Sequence, residues 1–366
     1  QDSIATFGFD LGYADNRIWL INQYLSGRIG LDEMFSTVGG MHVFSNHAEP
    51  IMFLFAPFYW LWDSVKIVLF LQTFAIALGA IPVYLIARGK TKSRFVPLVF
   101  SFAYLMYPAL QFITLWHFHS EAFGITFLLF AFYFATRNRY VVMMAFAFLA
   151  MITKEDVALA TIFMGAYVFF LHDRKYGAML AALSLVWFII AIKLILPFYG
   201  GEDSGFIFQY RYGLFGSNFE SAAKRAVTDP MLTLETFTRH GGPRYISELL
   251  VPTAFIAVLS PETLAMALPT FVENVLRAHS PQQTIKYQYA AVTIPFIFIS
   301  LIYGYTRIVK FKPELWKIIS ALIFSAAIIA NIIMSPSPIS AQPAYYAMPD
   351  FVDDLNKAID MIPDDA

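Results

Sequence analysis

The chain has 366 residues, 58% of them hydrophobic and 14% charged, with 38 Phe, 20 Tyr, no Cys and a formal net charge of -1. A soluble domain carries about 45–50% apolar and about 25% charged residues, so this balance excludes an ordinary soluble fold and predicts a multi-span membrane protein. Near-neutral charge gives no electrostatic reason for a nucleic-acid partner, and the missing cysteines exclude disulfides, thiolate metal sites and cysteine nucleophiles.

Residues 1–63 are too polar to span and read as an external loop. Within it, residues 16–28 predict a short amphipathic helix and residues 50–62 a second, tryptophan-rich one, both lying at the membrane interface. Asp63 then fits as the N-cap of a first spanning helix over residues 64–87. The loop that follows, Arg88-Gly-Lys-Thr-Lys-Ser-Arg94, holds four basic residues and no acid, which marks it as cytoplasmic. Further spans are predicted at 95–115, 122–136, 140–153, 157–171, 176–196, 285–305 and 315–334. With these, every short loop rich in Lys and Arg falls on one side, and only Asp173 and Glu314 among the acids join them.

A long polar stretch (197–247) and two weaker apolar runs (248–259 and 261–275) separate the sixth span from the seventh. Parity requires the two runs to form a hairpin or re-entrant pair opening outward. The predicted fold is all-α: an external loop with interfacial helices (1–63), a transmembrane domain of about eight spans (64–334), and the start of an external C-terminal segment (335–366). That last segment opens an amphipathic pattern at Phe351, Leu355, Ile359 and Ile362. Gln1 is not an initiator Met, and a membrane helix before it and a soluble segment after Ala366 are expected.

The runs 140–153 and 157–171 fall short of the ~20 residues a span needs. Lys154, Glu155 and Asp156, between them, are therefore expected below the interface, where ionisable groups pair with one another or face water.

Three polar islands carry the candidate chemistry, all on the predicted outer side. In the first, Asp10 sits among Gly8, Phe9, Leu11 and Gly12. Apolar neighbours raise a carboxylate's basicity and glycines admit a ligand to the backbone, which suits a general base. Asp15 reads equally as a substrate ligand or as a cap for the helix after it. In the second, His117, His119 and Glu121 read either as interfacial belt residues or as ligands for substrate hydroxyls, a phosphate, or a divalent ion (Mg or Mn) shared by Asp10, His119 and Glu121. The third, Lys154-Glu-Asp156, is either a buried ion pair fixing helix packing or part of a substrate pocket. Outward cations at Arg211, Arg244, Arg277 and Lys286 are ordinary surface charge or hold a phosphate. His47 and Pro50 open the second interfacial helix and read first as structural.

Phe9-Asp-Leu-Gly12 with Trp19, His47-Ala-Glu-Pro50, Leu71-Gln72, Gly79-Ala-Ile-Pro82, Tyr104-Leu-Met-Tyr-Pro108, Phe118-His-Ser-Glu121, Lys154-Glu-Asp156, Leu268-Pro269, Asn274-Val-Leu276, Tyr287 and Pro295-Phe296 together resemble a prokaryotic family of predicted membrane proteins, domain of unknown function 2079. That family is similar in turn to the GT-C glycosyltransferases. The resemblance implies a polyprenyl-phosphate sugar donor, inverting transfer to an extracytoplasmic acceptor, and a catalytic acid in the first external loop, the place Asp10 holds. Asp15, His47, His117, His119, Glu121, Lys154, Glu155, Asp156 and Tyr287 would line the sugar pocket, and Arg211, Arg244 or Arg277 would hold the donor phosphate. The paired acidic motif of several GT-C families is not reproduced, since Asp15 is followed by Asn16. Two other readings stand beside this one. One is a non-catalytic subunit of a larger membrane complex on the same scaffold. The other is a lipid or solute transporter, which the lack of an internal repeat disfavours.

Overall fold

The structure, a computed structural model, describes residues 8–201, 212–217, 219–276, 282–341 and 357. Among the described residues the chain is all-helical, apart from one isolated bridge between Phe35 and His42. Arg211, Arg277 and the amphipathic pattern from Phe351 to Ile362 lie outside these residues.

Helix α1 (Gly8–Leu25) begins eight residues before the predicted start, so Asp10 stands in its first turn and not in a glycine loop. Two glycines make this a poor helix by propensity. Tertiary burial decides instead: Ala14, Ile18 and Ile21 pack with Met52, Phe55 and Tyr59 over Val68, Phe118, Phe123 and Ile152. The second interfacial segment is a short α2 (Met52–Phe55) running into a 3-10 turn (Ala56–Trp60). Trp19, Trp60, Leu61 and Trp62 stay exposed around this layer, as aromatic anchors at a membrane surface do.

Among the described residues four helices are long and apolar enough to cross a membrane: α3 (Lys66–Lys90), α9 (Arg174–Gly200), α14 (Ile294–Phe311) and α15 (Pro313–Met334). The pair α4 (Val96–Leu105) and α5 (Pro108–Leu115), bent by 43°, makes a fifth if counted as one span. Between them run three shorter apolar helices, α6 (Glu121–Thr136), α7 (Tyr140–Met151) and α8 (Val157–Leu171). Asp63 does not cap α3: the helix starts at Lys66 behind Val65, with no side-chain cap. The α4–α5 bend has a defined cause. Pro108 cannot donate a backbone hydrogen bond and pushes Tyr107 into an extended conformation (ψ 121). The freed carbonyls find side chains: Asn331 Nδ2 donates to Met106 O (2.9 Å) and Gln111 Nε2 to Leu105 O (3.1 Å).

After α9 come α10 (Phe219–Thr228), α11 (Pro230–Arg239), α12 (Gly242–Leu250), a run of short turns, and α13 (Leu268–Val275). The tip of this excursion is held at its far end by Arg307, which donates to Leu259 O (2.6 Å) and pairs with Glu262 (2.7 Å). Lys90 lies 4.3 Å over the ring of Tyr303, one turn before Arg307, and shares a small cavity with Arg137. The predicted basic loops thus gather at one end. Gly304 faces the tip so closely that a Cβ there would stand 2.2 Å from Ile256 O, a backbone atom that cannot step aside. Gly304→Ala is expected to destabilise the protein by about 1–3 kcal/mol through overpacking, measured as a lowered midpoint in a detergent-solubilised thermal melt.

Helix α14 starts at Ile294, nine residues later than predicted, because Pro295 sets the first turn and the polar stretch before it folds as loop and a 3-10 turn (Gln288–Ala290). That displaced stretch becomes one wall of the site.

Candidate functional site

The polar islands meet at the end opposite the basic loops. A cavity of about 160 Å³ opens there, lined by Asp10, Tyr13, Ala14 and Arg17 from α1, by Asn46, His47, Glu49 and Met52, by Phe118–Glu121, by Lys154, and by Gln288 and Tyr289. The α1 residues fall at i, i+3, i+4 and i+7, one face of a helix. The volume is well under the ~300–1,000 Å³ of a drug-sized pocket and suits the polar head of a larger substrate.

Ion pairs tie the walls together. Arg17 Nη1 bonds Glu49 Oε2, and Glu49 Oε1 accepts from Ser120 Oγ (2.9 Å). Lys154 Nζ bonds Glu121 Oε1 (3.1 Å) and lies 3.6 Å from Asp156 Oδ2. His47 Nδ1 meets Glu155 Oε1 at 2.8 Å, while Glu155 Oε2 accepts from the Ala48 amide (2.9 Å). Glu155 therefore clamps the 47–48 backbone from behind the cavity wall and does not line it. Burial works against the Arg17 charge, but the carboxylate of Glu49 more than restores it and holds its pKa above the ordinary value.

Asp10 sits at the mouth, its side chain 47% exposed, with His117 Nε2 3.9 Å from Oδ2. Burial holds His117 and His119 below the usual histidine range, so both rings are neutral at neutral pH. His119 is positioned from beneath by Gln72, a fully buried residue in the middle of α3. Its amide Oε1 accepts from the His119 backbone (2.7 Å), and its Nε2 donates to Ile113 O and His117 O (3.1 Å each). Gln72→Leu strands all three buried backbone groups. An expected loss of about 1–3 kcal/mol of stability, checked by thermal melting, follows from the desolvation those groups keep without a partner.

Other predicted ligands stand apart. Asp15 points away from the cavity and accepts from Tyr59 Oη (2.6 Å), tying α1 to the second interfacial segment; burial and this bond raise the Tyr59 pKa. Arg244 is 74% exposed and pairs with Glu248 (2.7 Å), so it does not reach the cavity. Tyr287 packs edge-on against Trp116 at 4.9 Å, leaving Tyr289 to line the wall. The divalent-ion set Asp10, His119 and Glu121 does not form: among the described residues no three His, Asp or Glu side chains cluster at metal-binding spacing, and Glu121 is taken by the Lys154 ammonium.

Arg17, Glu49, Gln72, Ser120, Gln288 and Tyr289 are functional candidates that sequence reasoning missed. Starting α1 at Gly8 would have exposed the Asp10–Arg17 face.

The architecture defines a polytopic helical membrane protein with a polar, ion-paired cavity at one end. The chain belongs to the family described as predicted membrane protein (DUF2079), whose model matches residues 2–366. Comparisons with curated proteins and with solved structures returned no match.

Proposed function

We propose that the protein is a GT-C-like integral-membrane glycosyltransferase, moving a sugar from a polyprenyl-phosphate carrier to an acceptor on the extracytoplasmic side of a prokaryotic plasma membrane. The observation that carries this reading is the half-exposed Asp10 carboxylate at the mouth of an otherwise buried polar cavity. Asp10 takes the proton from an acceptor hydroxyl as that oxygen attacks the anomeric carbon. The carbon–oxygen bond to phosphate breaks, its electron pair leaves with the polyprenyl phosphate, and the anomeric centre inverts. Lys154, Glu121, His119 and Tyr289 supply hydrogen-bonding groups for sugar hydroxyls. The exposed aromatics around α1 and α2 support a mouth at lipid headgroup level, where a carrier phosphate lies.

The test is transfer by protein reconstituted in nanodiscs, offered a panel of polyprenyl-phosphate sugars and membrane-extracted acceptors. Release of polyprenyl phosphate with a glycosylated acceptor is expected; an intact donor pool across the panel would overturn the reading. A second reading, a non-catalytic subunit of a membrane complex, is favoured by Asp15, the neighbouring acid, being bound to Tyr59 and unavailable for chemistry. Stoichiometric membrane partners on native purification would support it.

A further inference from the structure

Arg17 is an unusual cavity wall. Its side chain is only 6% exposed, its Nη1 is committed to Glu49, and yet Nε and Nη2 reach no acceptor among the described residues. These two nitrogens share one edge of the guanidinium, so their hydrogens form a parallel fork. A buried charged donor left unmatched is costly, and here two are left together on one residue of the cavity lining.

Two parallel donors match two oxygens of a single oxyanion, carboxylate or phosphate. The surroundings select further. His119 Nε2 is buried without a partner in the same wall, and the Asn46 and Gln288 side-chain oxygens are likewise unmatched. Of the acids lining the cavity, Glu49 is balanced by Arg17 and Glu121 by Lys154, which leaves the Asp10 carboxylate out at the mouth. A planar carboxylate would saturate the fork and leave these other groups idle. A tetrahedral phosphate places two oxygens on the fork and turns its remaining oxygens, protonated or esterified, toward the rest of the wall.

The geometry points to a phosphate-binding subsite built on the free Nε/Nη2 edge of Arg17, with His119 beside it. It takes the role that the resemblance implies for Arg211, Arg244 or Arg277, of which Arg244 is exposed and paired with Glu248. The subsite stands on the fork alone; only the assignment of its phosphate to a lipid carrier rests on the transferase reading.

The test uses the full chain in nanodiscs, with geranyl phosphate, geraniol and inorganic phosphate as probes, and binding read by ligand-induced thermal shift and calorimetry. Arg17→Lys keeps the charge and a partner for Glu49 but lacks the planar fork. Expected are a shift with geranyl phosphate, none with geraniol, and affinity weakened about ten- to a hundredfold in Arg17→Lys, the range for one lost charge-assisted hydrogen bond. Saturation by inorganic phosphate alone, also lost in Arg17→Lys, supports the subsite and assigns it a soluble phosphate. Equal binding of geraniol and its phosphate, or unchanged affinity in Arg17→Lys, overturns it. Should Arg17→Lys fold poorly, the pair Arg17→Met with Glu49→Gln removes the fork without stranding a charge, and retained phosphate binding in that variant also overturns the proposal. Phosphate binding in a protein that transfers no sugar would remove the enzyme reading and leave the subsite standing.

Discussion

An Asp10→Asn protein is expected to melt at the wild-type temperature and to transfer sugar at least about a hundredfold more slowly, since general-base catalysis contributes about 10²–10⁴ in rate. The two halves of this expectation have separate grounds. Stability is spared because Asp10 is half exposed and the neutral His117 ring stands 3.9 Å away, beyond a good hydrogen bond. Asn keeps the shape and the polar contacts at the mouth. Rate is lost because the amide cannot accept the proton of the attacking hydroxyl. Parallel measurement of melting and of donor turnover in one preparation decides the matter: wild-type turnover would take Asp10 out of the chemistry.

Removing Lys154 should do the opposite, damaging the fold before any chemistry is assayed. Its ammonium is the cation held by Glu121 and Asp156, in a turn that also carries Glu155, and all of these groups are buried or nearly so. Lys154→Met leaves carboxylates uncompensated, a loss of about 3–5 kcal/mol by analogy with broken buried pairs. Such a loss consumes much of the ~5–15 kcal/mol that holds a typical domain, so low yield in the membrane is the expected readout. Adding Glu121→Gln removes one of the stranded charges and should recover part of the stability, a positive coupling in a double-mutant cycle. Additive damage from the two changes would mean that the pair contributes little.

How far the sequence foretold this molecule depends on which force set each element. Helix α8 runs over residues 157–171 as its composition implies, because an apolar run bounded by Asp156 and His172 leaves the backbone no cheaper arrangement in lipid. The early start of α1 was hidden because Gly8, Asp10 and Gly12 disfavour helix locally, and only burial of Ile18 and Ile21 against distant residues outweighs that. The late start of α14 was hidden for a related reason: Ile285 and the alanines at 290 and 291 are buried in the main core between the helices, so they look like span while forming loop and a 3-10 turn.

At the site, clustered charges in an apolar chain were visible because their burial demands partners. Lone polar residues inside helices were not. Arg17 and Gln72 show their purpose only through Glu49 and the 117–119 turn, far along the chain. Arg244 was misassigned because a basic residue in a polar stretch carries no sign of its own i+4 partner until the helix is drawn.

The walls of the cavity come from chain positions as far apart as Asp10 and Tyr289. A ribosome adds residues at about 5–20 per second, so on the order of ten seconds separates emergence of Lys154 from that of Gln288. Throughout that interval the half-finished protein sits at the insertion machinery with a hollow lacking one side, and the Lys154–Glu121 link is already available to shelter its charges. Truncated translation products ending just before Gln288 should therefore carry helices α1 to α13 without a finished binding chamber, which makes them natural clients for membrane quality control.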